Sequence, residues 1–204
     1  MTPMTIEELY QKLCEPNFKD TRNGDIFYNF YIFQYNASDE YLIRDQIDDF
    51  KRKLVRPTNS IDVLTLNLFD EFCSFLDKQK FGNKYPSYLQ YVFEKEPQYA
   101  DNFISTLKGK ACGQQFLQYI HQRIVEHVQI HDELNRPYVF VYGMGNIYPY
   151  LRVSEFQSKY EEYNDTSLYK IILFYPGCQD GNNYQLFGVL DDQHTYRAIK
   201  LINE

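Results

Sequence analysis

Apolar residues along the chain fall into short unbroken runs and longer stretches with a helical repeat. Ile26 to Tyr35 (IFYNFYIFQY) is almost wholly apolar and aromatic, flanked by Asn23-Gly24 and Asn36. Such an unalternating run predicts a central strand covered on both faces. Tyr138 to Tyr142 (YVFVY) and Leu168 to Tyr175 (LYKIILFY) have the same character. Gly143-Met144-Gly145 should end the first, and Pro176-Gly177 should stop the second. A further strand is expected from about Ile61 to Leu66.

Helical spacing fills the intervals. Thr5 and Glu8 form a capping box before the stripe Ile6, Leu9 and Leu13, and Pro16 should end that helix. Ser38 is placed to cap a second helix, with Asp39 and Glu40 in its first turn and Lys51, Arg52 and Lys53 in its last, all matched to the dipole. Its inward face is Ile43, Ile47, Phe50 and Leu54, and Pro57 closes it. The two flanking strands then make a strand–helix–strand unit of the length a parallel crossover requires.

From Asn67 to His131 the pattern is helical, with stripes Phe69, Phe72, Leu76 and Leu117, Ile120, Ile124, Val128. Between them Tyr85 to Lys108 is weaker and broken by Pro86 and Pro97. This segment reads as a helical layer inserted on the sheet, a small separate lobe being the alternative. A helix from about Tyr150 to Tyr163 precedes the last long strand. Gln185 to Leu190 and Thr195 to Ile202, around Asp191-Asp192-Gln193-His194, read as an antiparallel hairpin. The expected fold is α/β: one domain over residues 1–204 with a three-layer, mostly parallel sheet, Rossmann-like or P-loop-like without a Walker motif, a helical insertion at 67–131 and a C-terminal hairpin.

Charge narrows the function. The 204 residues carry 28 acidic and 21 basic side chains, a net of −7. The densest basic run, Lys51-Arg52-Lys53, faces Asp45, Asp48 and Asp49 on its own helix, so no direct nucleic-acid binding is expected. The four cysteines, Cys14, Cys73, Cys112 and Cys178, form no C-x-x-C pair, which fits reduced thiols rather than a zinc ribbon or a disulfide framework. No run approaches the roughly 20 apolar residues of a membrane span, and the first residues resemble no secretory leader, so a soluble cytoplasmic protein is expected. Twenty Tyr and sixteen Phe are the compositional outlier. Phe reads as core; surplus Tyr fits either the core or a surface that meets a partner.

In open α/β sheets, ligands sit outside the carboxyl ends of the strands. Two glycine-bearing segments there carry the candidate chemistry: Gly143-Met144-Gly145-Asn146, with Arg152 just beyond, and Pro176-Gly177-Cys178-Gln179-Asp180-Gly181. Glycines at such turns let backbone amides approach an anion. The pattern G-x-x-x-x-G-K-[ST] is absent: Gly109-Lys110 lacks the leading Gly and the following hydroxyl, and Tyr148 stands where a dinucleotide fingerprint needs Gly. Turn punctuation is the favoured reading. His127 and His131 have the i, i+4 spacing of two ligands to one ion, but no third ligand is at hand unless Asp132 or Glu133 bends past the helix end. Cys178 with His194, oriented by Asp191 or Asp192, is the pattern of a thiol nucleophile and base, against the simpler reading of a small buried side chain and a turn.

Three blocks occur in order in the second half: Tyr138 to Arg152 (YVFVYGMGNIYPYLR), Lys170 to Gly177 (KIILFYPG), and Leu186-Phe187-Gly188-Val189-Leu190 with Tyr196-Arg197-Ala198. In this the chain resembles BrxB proteins, small components of the bacteriophage exclusion (BREX) defence system. The resemblance implies a cytoplasmic defence protein that acts beside a large ATPase, a DNA methyltransferase and PglZ, a protein similar to alkaline phosphatases. It also implies no catalytic residues and physical association with PglZ. The resulting expectation is a non-enzymatic adaptor with no catalytic, metal or cofactor-binding residues. Gly143, Gly145, Tyr150, Arg152, Pro176, Gly177 and Arg197 would shape its loop edge, Gly143 and Gly145 through positive φ angles. A nucleotide- or phosphate-responsive regulator is the alternative, and a hydrolase built on Cys178 a third.

Overall fold

The apolar runs become strands of one open sheet in a mixed α/β fold, seen in a computed structural model that describes residues 4–19, 30–129, 137–163, 168–180, 183–192 and 199–200. In chain order the strands are β1 (Phe30–Tyr35), β2 (Val63–Asn67), β3 (Tyr138–Tyr142), β4 (Lys170–Asp180), β5 (Asn183–Leu186), β6 (Leu190–Asp192) and β7 (Ile199–Lys200). Their order across the sheet is β2-β3-β4-β1-β7, with every neighbouring pair parallel. β5 and β6 stand off this path as an antiparallel extension of β4.

Strand side chains alternate between two cores, as the pleat requires. Phe30, Ile32, Leu64, Leu66, Val139, Val141, Ile171 and Leu173 point to one face. Tyr31, Phe33, Val63, Tyr138, Phe140, Ile172 and Phe174 point to the other. On the second face lie α1 (Ile6–Cys14), the short α2 (Pro16–Lys19) and α3 (Glu40–Leu54). Helix α1 starts at the expected capping box, where Glu8 N–H donates to Thr5 Oγ1 at 3.2 Å and Thr5 N–H to Glu8 Oε2 at 2.7 Å. The acidic-to-basic helix closes on itself through Lys53 and Arg52 bonded to Asp49.

The first face carries α4 (Leu68–Asp77), α5 (Tyr88–Ala111), α6 (Gln114–Gln129), α7 (Met144–Ile147) and α8 (Val153–Tyr160). Of the predicted stripes, Phe72 and Leu76 in α4 and Leu117, Ile120 and Ile124 in α6 are buried, while Phe69 and Val128 are half-buried against the same core. Phe103, Leu107 and Phe116 share one apolar cluster with the strand residues Leu66, Val139 and Ile171. Aromatic content is mostly core content, since Tyr31, Tyr88, Tyr138, Tyr160, Tyr169, Tyr175 and Tyr184 are all buried. Among described tyrosines, Tyr41 and Tyr99 are the large exposed ones.

Several boundaries differ from the sequence reading. Strands β1 and β2 are joined through α3 but are not neighbours, because β3 and β4 lie between them. Ser38 does not cap α3; it sits in a single 3-10 turn, Ala37–Asp39, and Asp39 occupies the cap position without a side-chain bond to the helix. Pro97 lies inside α5, whose backbone leaves the helical region at Tyr99 instead. Helix α8 begins at Val153 rather than Tyr150.

The largest correction concerns Pro176-Gly177. These residues do not stop β4, which runs on to Asp180. Pro176 holds the last parallel pairing, with Tyr35, and Gly177 the first antiparallel one, with Leu186. The ring removes a donor at the point where β4 leaves the parallel sheet, a position where proline is tolerated. The expected hairpin is also displaced. Its turn is Phe187-Gly188-Val189, between β5 and β6, and β7 instead pairs parallel with β1. The start of the first strand at Ile26–Asn29, the residues His131, His194 and Arg197, and most of the expected Thr195–Ile202 strand lie outside the described residues.

Candidate functional site

Other atoms of the protein occupy the space that Gly143, Gly145 and Gly177 leave. Gly143 adopts φ +78°, reached without strain only by glycine, and a Cβ there would lie 2.1 Å from Asn67 Oδ1. That oxygen caps α4 by accepting from Phe69 N–H at 3.1 Å. Gly145 is helical rather than left-handed, contrary to expectation; its missing Cβ makes room for the Phe187 ring, 2.5 Å from where that atom would stand. Gly177 admits the backbone of β5, with Gln185 O 2.2 Å from an ideal Cβ.

The Phe187–Val189 turn is closed by backbone bonds. Phe187 N–H donates to Pro176 O at 2.8 Å, Gly188 N–H to Gln185 O at 3.1 Å and Val189 N–H to Leu186 O at 3.2 Å. Arg152 reaches the same element: its guanidinium donates to Asp191 O at 3.0 Å, while Gln185 Nε2 donates to Asp191 Oδ1 at 2.9 Å. Arg152 thereby ties the segment before α8 to strand β6. Met144, Tyr148, Leu151, Arg152, Tyr175, Leu186 and Leu190 enclose about 10 Å³ between these parts, room for about one water. A nucleotide does not fit there.

Tyr150 lies apart from that gap. Its ring packs 6.4 Å from Phe72, and burial followed by Glu96 raises its hydroxyl pKa. Its carbonyl accepts from Cys112 Sγ at 3.4 Å. Burial first, then the Glu155 carboxylate, pushes the Cys112 thiol up to about 11. Cys178 is exposed, with Sγ 3.7 Å from Gln185 Oε1. Near pH 8 only about one Cys112 thiol in a thousand is ionised. Iodoacetamide is therefore expected to label Cys178 well before Cys112, as read by peptide mass spectrometry. Equal rates would mean that the α5–α8 contact opens freely.

The remaining candidates have local roles. His127 meets the Asp62 carboxylate, bracing α6 against the segment before β2. Among the described residues no group of three or more His, Cys, Asp or Glu is placed to hold a metal. Lys110 of the Gly-Lys pair lies over the Tyr88 ring at 4.2 Å and donates to Gln79 Oε1 at 2.8 Å. No described helix is long and apolar enough to cross a membrane. Sequence reasoning passed over Gln34, the one polar residue of β1; its interruption of an apolar run is the signal that marks it.

Comparison with known proteins adds the family. A family model described as "BREX protein BrxB" matches residues 64–201. A protein of that description from Bacillus cereus (strain H3081.97) is 25% identical over 200 residues, covering 98% of this chain and 96% of its own. Another from Escherichia coli O9:H4 (strain HS) is 23% identical over 197 residues, covering 97% and 90%. No solved structure matches the chain.

Proposed function

The chain belongs to the BrxB family of BREX proteins, and we propose on this basis that it serves phage defence as a non-enzymatic adaptor docking a larger companion. The companion expected from the family is the PglZ-like protein. In this reading the chain is a single α/β domain of Rossmann-like, three-layer build with its helical insertion at 67–131. It works in the cytoplasm beside other BREX subunits, needs no cofactor and leaves DNA to its partners.

One observation favours this reading over the nucleotide-responsive one. The strand-end glycines, which in a phosphate site free backbone amides for an anion, are here occupied by Asn67, Phe187 and the Gln185 carbonyl. Arg152, the cation such a site would use, is spent on the Asp191 carbonyl. The chemistry of the edge is that of a braced surface.

Co-expression tests the adaptor directly. Tagged protein is expected to retain the PglZ-like companion through affinity and size-exclusion steps at moderate salt, and loss of all binding would remove the reading. Calorimetry against a panel of nucleotides is expected to be flat for both wild type and Arg152→Ala. A heat signal that Arg152→Ala abolishes would establish the nucleotide-responsive alternative instead.

A further inference from the structure

The turn between α4 and α5 gathers lysines in a protein whose net charge is −7. Residues 77–87 read DKQKFGNKYPS and hold Lys78, Lys80 and Lys84, all exposed. Lys110 of α5 reaches back to the same turn and donates to Gln79 Oε1 at 2.8 Å. Several cations elsewhere sit beside a carboxylate: Lys12 with Glu15, Arg44 with Glu40, Lys53 with Asp49 and Lys108 with Glu155. Lys78, Lys80 and Lys110 pair with no carboxylate among the described residues.

Aromatic rings hold these lysines without neutralising them. Phe81 and Tyr85 form an antiparallel bridge around Gly82, whose φ is +61°. The Phe81 ring stacks on Tyr91 at 4.2 Å and meets Tyr88 edge-on at 5.1 Å. Lys110 lies 4.2 Å from the Tyr88 ring, Lys84 4.9 Å from Tyr85 and Lys78 4.8 Å from Tyr119. A ring face attracts an ammonium and orders it, yet leaves its full charge. Ordering before contact lowers the entropy that docking has to overcome. The acids nearby are already engaged: Asp77 accepts from Ser87, Glu94 bridges Lys84 and Lys95, and Glu71, acceptor of the Tyr119 hydroxyl, pairs with Arg123. The first turn of α5, whose positive end opens on this corner, carries no acidic residue. Burial lowers the Lys110 pKa, and an incoming carboxylate raises it again.

We propose that this turn docks an acidic segment of the companion protein, a short run of aspartates or glutamates whose carboxylates meet Lys78, Lys80 and Lys110. The inference rests on the adaptor reading and supplies the surface which that reading leaves open. Two observations favour carboxylates over a nucleic-acid strand. Single strands are held by bases stacked on exposed rings, and here Phe81, Tyr88 and Tyr91 pack against one another. Residues 77–111 also contain no arginine, the side chain whose fork grips a phosphate with two bonds. Complementary charge steers such an encounter and makes it weaken with salt.

The test uses the full chain co-expressed with its companion. Lys80→Glu and Lys51→Glu each reverse one exposed lysine, the first in the turn and the second on α3, so both should fold with wild-type circular dichroism. Lys80→Glu is expected to weaken retention about tenfold or more, and Lys78→Glu combined with it further still. Lys80→Gln, which keeps the stem and removes the charge, should fall between wild type and Lys80→Glu. Lys51→Glu is expected to leave retention unchanged. If wild type holds its companion and the turn variants hold it equally, the turn is not the docking surface and the adaptor stands. Equal weakening by Lys51→Glu would reduce the effect to net charge and overturn the assignment as well. If wild type itself retains nothing, the adaptor reading fails and takes this one with it. A single-stranded oligonucleotide that binds wild type in fluorescence anisotropy, and is released by Lys80→Glu, would make the turn a nucleic-acid surface instead.

Discussion

Raising the pH above 10 is expected to unfold the protein cooperatively, with a midpoint between about pH 11 and 12. The cause is the number of tyrosine hydroxyls inside. Tyr138 donates to Leu13 O at 2.8 Å from a fully buried position, and burial holds its pKa far above the ordinary value near 10. Tyr160, 3.3 Å from the Tyr169 hydroxyl, is raised by burial and then by that neighbour. Tyr35 is raised by burial and then by the Glu40 carboxylate it donates to at 2.5 Å. Burial, then the Glu71 carboxylate it donates to, pushes Tyr119 up to about 12.

The sign follows from linkage. A group whose pKa is raised on folding contributes stability that is fully present below its unfolded pKa and is lost as pH climbs toward its folded one. A tyrosine still neutral in the fold at pH 12, but ionising near 10 when unfolded, costs about 2.7 kcal/mol at that pH. Tyr35, Tyr138 and Tyr160 together then withdraw about 8 kcal/mol, comparable to the whole stability of a typical domain. The buried tyrosines' share of tyrosinate absorbance should appear in one step with the loss of far-ultraviolet dichroism. Tyr138→Phe is expected to shift the midpoint upward while lowering neutral stability by about 1 kcal/mol for the lost hydrogen bond. Ionisation of every tyrosine with secondary structure intact would contradict this account.

The strands were legible because a residue covered on both faces has to be apolar whichever way it points. Phe140 and Val141 look toward different cores, yet both are fully buried. The stripe of α3 and the box opening α1 were equally legible, since each is written within one or two turns. What escaped depends on distant partners. Phe187 sits in a turn at φ +59°, although local preference puts Asn or Gly there; its ring fills the space over Gly145, a residue 42 positions away in sequence (187 − 145). Tertiary packing overrides turn chemistry at that point. Arg152 was legible as a cation near strand ends, but its acceptor, a carbonyl of β6, required the hairpin that had been misplaced.

Gly177→Val is expected to be the most damaging single change at the strand-end edge, lowering stability by about 3–4 kcal/mol. Local preference alone does not predict this, because valine is the better strand former. The reason is the approach of two backbones. An ideal Cβ at 177 would stand 2.2 Å from Gln185 O and 2.7 Å from the Tyr175 ring. A carbonyl in an antiparallel ladder cannot move aside as a flexible side chain can, so β5 has to leave. With it goes the pairing of Gly177 with Leu186 and Cys178 with Gln185, then the Phe187 N–H bond to Pro176 O and the Arg152 bond to Asp191 O. Tyr184 and Leu186 lose their place in the core. Urea unfolding should show the drop, and amide exchange should rise most at Phe187, Gly188 and Val189 while Ile171 to Leu173, held between β1 and β3, stay protected. Pro176→Ala, which changes no backbone approach, is expected to cost about 1 kcal/mol or less. Protection lost evenly across β4 and β5 would mean that the hairpin is inseparable from the parallel sheet, and that the Pro176-Gly177 step is no boundary between two cooperative units.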